Sequence, residues 1–150
     1  MIYFDTSYIL KCYLNEPHAD LVRALAEQES DKYSCRWARA EFSSGLKRHV
    51  REGKLTSVQA GEVRQVFEAD ERAGVWLWLP VDDALLDAVV ARFVAWPDNV
   101  PLRTGDALHL TCAKAHGFGE VYSNDTHLLA AAPYFGLAGI NVLPPIGQGK

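Results

Sequence analysis

Four acidic residues in this chain sit where a folded α/β sheet would present them to one another: Asp5, Glu41, Asp106 and Asp125. Asp5 follows directly on the apolar run Met1-Ile2-Tyr3-Phe4, and a carboxylate abutting an all-apolar strand needs a partner. Asp125 lies just beyond the strand-like Glu120-Val121-Tyr122-Ser123. Asp106 falls in the first turn of a helical stretch that opens at Gly105. Glu41 borders the buried face of a helix whose other charges, Arg36, Arg39, Lys47, Arg48 and Arg51, are basic. Like charges that converge raise one another's pKa, and a hard divalent cation resolves the conflict. Mg²⁺ takes oxygen ligands and keeps several waters. Such an ion lowers the pKa of a bound water and neutralises charge on a phosphoryl transition state, so no Ser, Cys or His nucleophile is needed. Singly, each acid has an ordinary explanation: helix dipole for Asp106, N-cap or turn for Asp125, an amphipathic-helix charge for Glu41. Only the set points to metal chemistry.

The elements that would position them follow a strand–helix rhythm. The spacing predicts strands at Met1–Phe4, Lys32–Cys35, Val75–Leu79, Glu120–Ser123 and Ile140–Leu143. Helices are expected over His18–Gln28, over Arg36–Arg51 with Gly53 as C-terminal cap, and from the capping box Thr56-Ser57-Val58-Gln59 to Gly74. Others should run from Asp82 or Asp83 to Trp96, from Gly105 to His116, and briefly after Asp125 up to Pro133. Strands alternating with helices imply right-handed crossovers and a mostly parallel sheet. The expected fold is a single-domain three-layer α/β/α sandwich over residues 1–150, with ligands bound beyond the carboxyl ends of the strands. Asp5 and Asp125 should overhang that same edge.

Composition narrows the function classes. The 150 residues include 49% hydrophobic and 23% charged residues, ordinary for a globular domain, and no apolar run approaches the length of a membrane span. The start of the chain has no basic n-region, so no secretion signal is expected. Three cysteines without a C-x-x-C pair favour reduced thiols and a cytoplasmic protein. A net charge of −4 argues against nucleic-acid binding through bulk positive charge, so any such contact must be local or helped by a metal. Phosphate-loop, dinucleotide and serine-hydrolase motifs are absent from the sequence.

The segments around the acids carry a resemblance. Met1-Ile2-Tyr3-Phe4-Asp5-Thr6-Ser7 resembles the opening of PIN domains, a hydrophobic strand running into Asp-Thr-Ser or Asp-Thr-Asn. Arg39-Ala40-Glu41-Phe42 resembles their helix-borne Glu, and Arg103-Thr104-Gly105-Asp106-Ala107-Leu108-His109-Leu110 their central Asp motif. Tyr122-Ser123-Asn124-Asp125 resembles the last, an apolar strand followed by Thr/Ser-x-Asp. The likeness spans essentially the whole chain, and a free-standing domain of this size is similar to the VapC-type toxins of bacterial toxin–antitoxin pairs. The resemblance implies a metal-dependent endoribonuclease, held inactive by a cognate antitoxin and usually dimeric. It implies Asp5, Asp106, Asp125 and Glu41 as Mg²⁺ or Mn²⁺ ligands, with Glu41 also able to orient the attacking water. Thr6, Ser7, Arg39 and Arg103 are expected to contact substrate. One departure stands out: many relatives carry a further acid after the last Asp, where this chain has Thr126-His127-Leu128.

Two rivals use the same pocket. An aspartyl-phosphate enzyme or receiver would want a second acid near Asp5, yet Ser7 stands two positions on. A non-catalytic module would use the acids to bind a basic peptide. His109, Cys112 and His116 share a helix face, and packing is the expected role for them. The tryptophans at 37, 76, 78 and 96 could stack bases, with core packing or a dimer surface the preferred reading.

Overall fold

In the computed structural model, which describes residues 1–145, five short strands alternate with helices. The strands are β1 (Ile2–Tyr3), β2 (Lys32–Cys35), β3 (Trp76–Leu79), β4 (Glu120–Tyr122) and β5 (Ala138–Ile140). The helices are α1 (Thr6–Tyr13), α2 (Ala19–Gln28), α3 (Ala38–Arg51), α4 (Ser57–Arg72), α5 (Asp83–Val94), α6 (Thr104–Ala115) and α7 (Thr126–Ala131), and a 3₁₀ turn at Ala132–Phe135 follows the last. Every strand pairing is parallel, with Ile2 opposite Lys32, Tyr33 opposite Leu77 and Val121 opposite Gly139. A parallel bridge between Phe4 and Tyr122 joins the two ladders. The lateral order is therefore β3-β2-β1-β4-β5. Chain order reverses between β1 and β4, and crevices at such switch points are where open parallel sheets bind ligands.

Alternation along β1 sends side chains to opposite faces of the sheet. Ile2 and Phe4 join a core with Tyr8, Val22, Phe42, Leu46 and Phe67, supplied by α1, α2, α3 and α4. Tyr3 joins the other core, with Leu85, Val89, Leu108, Cys112 and Leu128 from α5, α6 and α7. This is the three-layer α/β/α arrangement expected from the sequence. The cap readings also hold: Thr56 and Gln59 bond reciprocally across the start of α4, and the Asp82 side chain accepts from the Leu85 N–H at 2.9 Å.

Two elements differ from expectation. Helix α1 had no counterpart, because its eight residues span barely two turns and follow directly on the apolar run of β1. Its start is set by the Asp5 carboxylate, which accepts from the Tyr8 N–H at 3.1 Å. The last strand is Ala138–Ile140 rather than Ile140–Leu143. Glycine is a poor strand former by propensity, yet a Cβ at Gly139 would lie 2.9 Å from Leu129 Cδ2 and 3.3 Å from the Leu129 backbone. Close packing of α7 on β5 thus selects the glycine-containing register.

Phe42 is 1% exposed and stacks on Phe67 at 3.9 Å between ring centroids. Phe42→Ala is expected to lower unfolding free energy by about 3–5 kcal/mol, read as a shift in the urea midpoint at unchanged slope.

Candidate active site

The four acids arrive on four separate elements. Asp5 ends β1 and caps α1; only 4% of it is exposed. Its Oδ1 accepts from the Ser7 hydroxyl at 2.7 Å and the Tyr8 N–H at 3.1 Å, and its Oδ2 accepts from the Ser123 hydroxyl at 2.6 Å. Ser123 Oγ in turn accepts the Asp125 N–H at 2.8 Å, which ties the carboxyl ends of β1 and β4 together. Burial pushes the Asp5 carboxyl above its ordinary pKa; the positive charge of His109 and the Ser123, Ser7 and Tyr8 hydrogen bonds offset this only in part.

Glu41 reaches the same place from α3. Its Oε2 accepts from the Thr6 hydroxyl and, at 2.8 Å, from His109 Nε2. Burial alone would raise this carboxyl, but the bonds from His109, Thr6 and Trp37 together hold it below the usual range. His109 is 2% exposed, and its Nδ1 lies 3.0 Å from the Tyr3 hydroxyl, which accepts the Cys35 N–H at 3.1 Å. Burial lowers the imidazole pKa, and Glu41 and Asp5 raise it by more, so the net shift is upward. At Gly105 an added Cβ would stand 2.5 Å from Glu41 Oε1, so a side chain there would push the Glu41 carboxylate from its present place.

Asp106 and Asp125 share one cation. Arg103 donates to Asp106 through Nε at 2.7 Å and Nη2 at 3.0 Å, and Nη2 also donates to Asp125 Oδ2 at 2.6 Å. The other oxygen of Asp125 caps α7, accepting from the N–H groups of His127 and Leu128. Burial tends to raise the Asp125 carboxyl; Arg103 and the cap bonds outweigh it and hold it low.

All four carboxylates line one cavity of about 310 Å³, together with Thr6, Ser7, Arg103 and His109. Four carboxylates and two hydroxyls are hard oxygen donors and suit Mg²⁺ or Mn²⁺ by type. Among the described residues no three His, Cys, Asp or Glu side chains are grouped closely enough to hold an ion as they stand. The cause is visible in the contacts: the Arg103 guanidinium lies between Asp106 and Asp125, and His109 and Thr6 hold Glu41.

Seven of the eight sequence-predicted residues therefore meet here. Arg39 does not: it pairs with Glu71 at 2.5 Å in a different cavity. Two positions along a helix turn a side chain by about 200°, so Arg39 and Glu41 face opposite ways. Arg103 is present but already engaged by carboxylates. His109, expected to serve packing, is a site residue; its place three positions after Asp106 puts it on the same face of α6, and that spacing could have revealed it. Ser123, the Ser of the Ser-x-Asp segment, bonds both acidic segments and was given no role of its own by the sequence. His127 lends the site only its backbone N–H.

The PIN domain family profile matches residues 2–133. The chain belongs to the PIN domain family. Two solved structures share the PIN fold with it. Mycobacterium tuberculosis VapC20, described as a Sarcin-Ricin loop cleaving toxin, superposes with a TM-score of 0.68 at 17% identity, covering 87% of this chain and 95% of its own. FitAcB from Neisseria gonorrhoeae superposes with a TM-score of 0.67 at 21% identity, covering 94% of this chain and 97% of its own. No curated protein matches the sequence significantly. Among the described residues of this PIN domain no helix is long and apolar enough to cross a membrane.

The shifts make opposite contributions to stability. A carboxyl raised on folding, as at Asp5, favours the folded state below its unfolded pKa and loses that contribution as pH rises through the folded value. Asn at this position keeps the N-cap acceptor without a buried charge. Asp5→Asn should therefore match or exceed the parent in thermal midpoint at pH 7, with the gain vanishing toward pH 3. Asp125 and Glu41, lowered on folding, stabilise above the ordinary carboxylate range and lose this as pH falls through their depressed values. In Arg103→Gln the Asp125 carboxyl should titrate at higher pH, followed by the NMR shift of its carboxyl carbon.

Proposed function

We propose that this PIN domain is a divalent-metal-dependent endoribonuclease and the toxin of a type II toxin–antitoxin pair. The observation that carries the reading is the convergence of Asp5, Glu41, Asp106 and Asp125, from four elements, on one cavity at the sheet's switch point. Its membership of the PIN family and its likeness in fold to VapC20 and FitAcB support it.

Asp5, Asp106 and Asp125 would hold a Mg²⁺ or Mn²⁺ ion, with Glu41 able to contribute to the same set. When bound, the ion would make water a stronger acid and neutralise charge at the scissile phosphate. Glu41, held in place by His109 and Thr6, is positioned to orient the attacking water. Ser7 and Ser123 fix both oxygens of Asp5 in place. Arg103 balances Asp106 and Asp125 in the arrangement seen and must yield at least one of them before a cation can share them. Displaced toward solvent, its guanidinium can meet a substrate phosphate. An antitoxin could present its own Arg or Lys to the same acids, and both partners would meet in the cytoplasm.

The aspartyl-phosphate alternative loses ground on the geometry of Asp5. Ser7 stands where such an enzyme would want a second acid, and its hydroxyl donates to Asp5 Oδ1 at 2.7 Å.

Cleavage of RNA should require Mg²⁺ or Mn²⁺ and stop in EDTA. Glu41→Gln should lose roughly 10²–10⁴-fold in rate, and Asp106→Asn at least as much, with the fold retained by circular dichroism. Purified Asp106→Asn protein that cuts RNA as fast as the parent would show the assignment to be wrong.

A further inference from the structure

A second cavity, of about 470 Å³, lies on the other side of α3 and has the opposite character. Arg36, Arg39, Arg64 and Arg72 wall it, over Phe67 and Trp78. Two glutamates, Glu68 and Glu71, also line it, so it is net positive on a chain of net charge −4. Arg39 is paired with Glu71; among the described residues Arg36, Arg64 and Arg72 have no ion-pair partner. Three such arginines on one concave surface give it a local positive potential that favours an anion.

Its position relates it to the acidic pocket. Ser43 of α3 lines the basic cavity and the adjacent Ser44 lines the acidic one. The two lie on either side of one helix, so about 10–12 Å separates them. Trp37, at the start of α3, follows Arg36, is 41% exposed, and brings its indole nitrogen close to Gly105 at the rim of the acidic pocket. A large aromatic ring open to solvent beside Arg36 offers a face on which a base can stack.

We propose that the arginine-walled cavity, continued by Trp37, binds the single-stranded RNA that flanks the scissile phosphate. This rests on the nuclease reading and extends its phosphate contacts beyond Arg103 at the acidic pocket, on a chain whose net negative charge repels a phosphate backbone. Guanidinium groups take phosphates as bidentate partners, and aromatic faces take unpaired bases without regard to sequence. A duplex buries its base faces and could use only the arginines. An acidic peptide would likewise leave the exposed face of Trp37 without a role.

The test reads binding in EDTA, by fluorescence anisotropy of a labelled short single-stranded oligoribonucleotide, so that cleavage plays no part. Arg64 and Arg72 are exposed and make no hydrogen bond among the described residues, so R64A/R72A should keep the parental thermal midpoint. This variant should bind roughly tenfold more weakly, and its slope of log affinity against log salt should fall by about 0.7 for each phosphate that is no longer neutralised. W37A should weaken binding roughly five- to a hundredfold with the salt slope unchanged, as removal of a stacking face requires. Parental affinity and slope in R64A/R72A overturn the proposal. So does unchanged RNA binding accompanied by loss of binding to polyglutamate, which would mark the cavity as a surface for an acidic protein. The nuclease reading fails separately: RNA held at this cavity without any metal-dependent cleavage overturns that reading, while cleavage with unaltered binding in the variant overturns the subsite alone.

Discussion

The crowding of negative charge at the carboxyl ends of β1 and β4 is the constraint that the surrounding structure answers. Asp5 is buried without a direct ion pair, and Glu41, Asp106 and Asp125 line the same cavity. Left alone, such a group would drive its members to protonate or the cavity to open. Three devices prevent this. Asp5, Asp106 and Asp125 each sit at a helix N-terminus, where free N–H groups and the helix dipole favour an anion. Hydroxyls of Thr6, Ser7 and Ser123 donate to carboxylate oxygens. Two basic side chains enter from α6 and the residue that precedes it: the His109 imidazole beside Glu41, and the Arg103 guanidinium between Asp106 and Asp125.

The packing exists to hold these groups at fixed separations. β1 is only two residues long, yet its alternation anchors both cores, Ile2 on one face and Tyr3 on the other. Tyr3 also reaches His109, so the core that carries α6 orients the imidazole that orients Glu41. Gly105 admits Glu41 at the one place where a methyl group would collide with it. A network satisfied at every member is rigid, and rigidity serves a site whose ligands come from distant parts of the chain. The raised carboxyl of Asp5 shows that stability is not what this residue maximises; its burial is better explained by the chemistry of the pocket.

Charge is also segregated across α3. One side carries Glu41 into the acidic cavity, and the other carries Arg39 and Ser43 toward a basic, aromatic one. Helical geometry makes this division with residues two apart, so a single element separates the place for reaction from a place suited to a polyanion. Net charge conceals the arrangement, because the basic residues are concentrated locally.

The sequence by itself determined the alternating elements, the capping box at Thr56, the parallel sheet and the four acids at its edge. Those follow from local propensity and periodicity, which short windows of residues express. It also placed Asp106 and His109 on one helix face, although the meaning of the pair depends on Glu41 across the cavity. Helix α1 was hidden because its eight residues are too few to show a period after an apolar strand, and the register of β5 depended on how closely Leu129 packs against Gly139. Only the tertiary structure decided which cation meets which acid: Arg39 turned away to Glu71, and Arg103 reached both Asp106 in its own helical turn and Asp125, 22 residues further along the chain. Such choices depend on through-space distances between chain-distant groups, and no local pattern of residues encodes them.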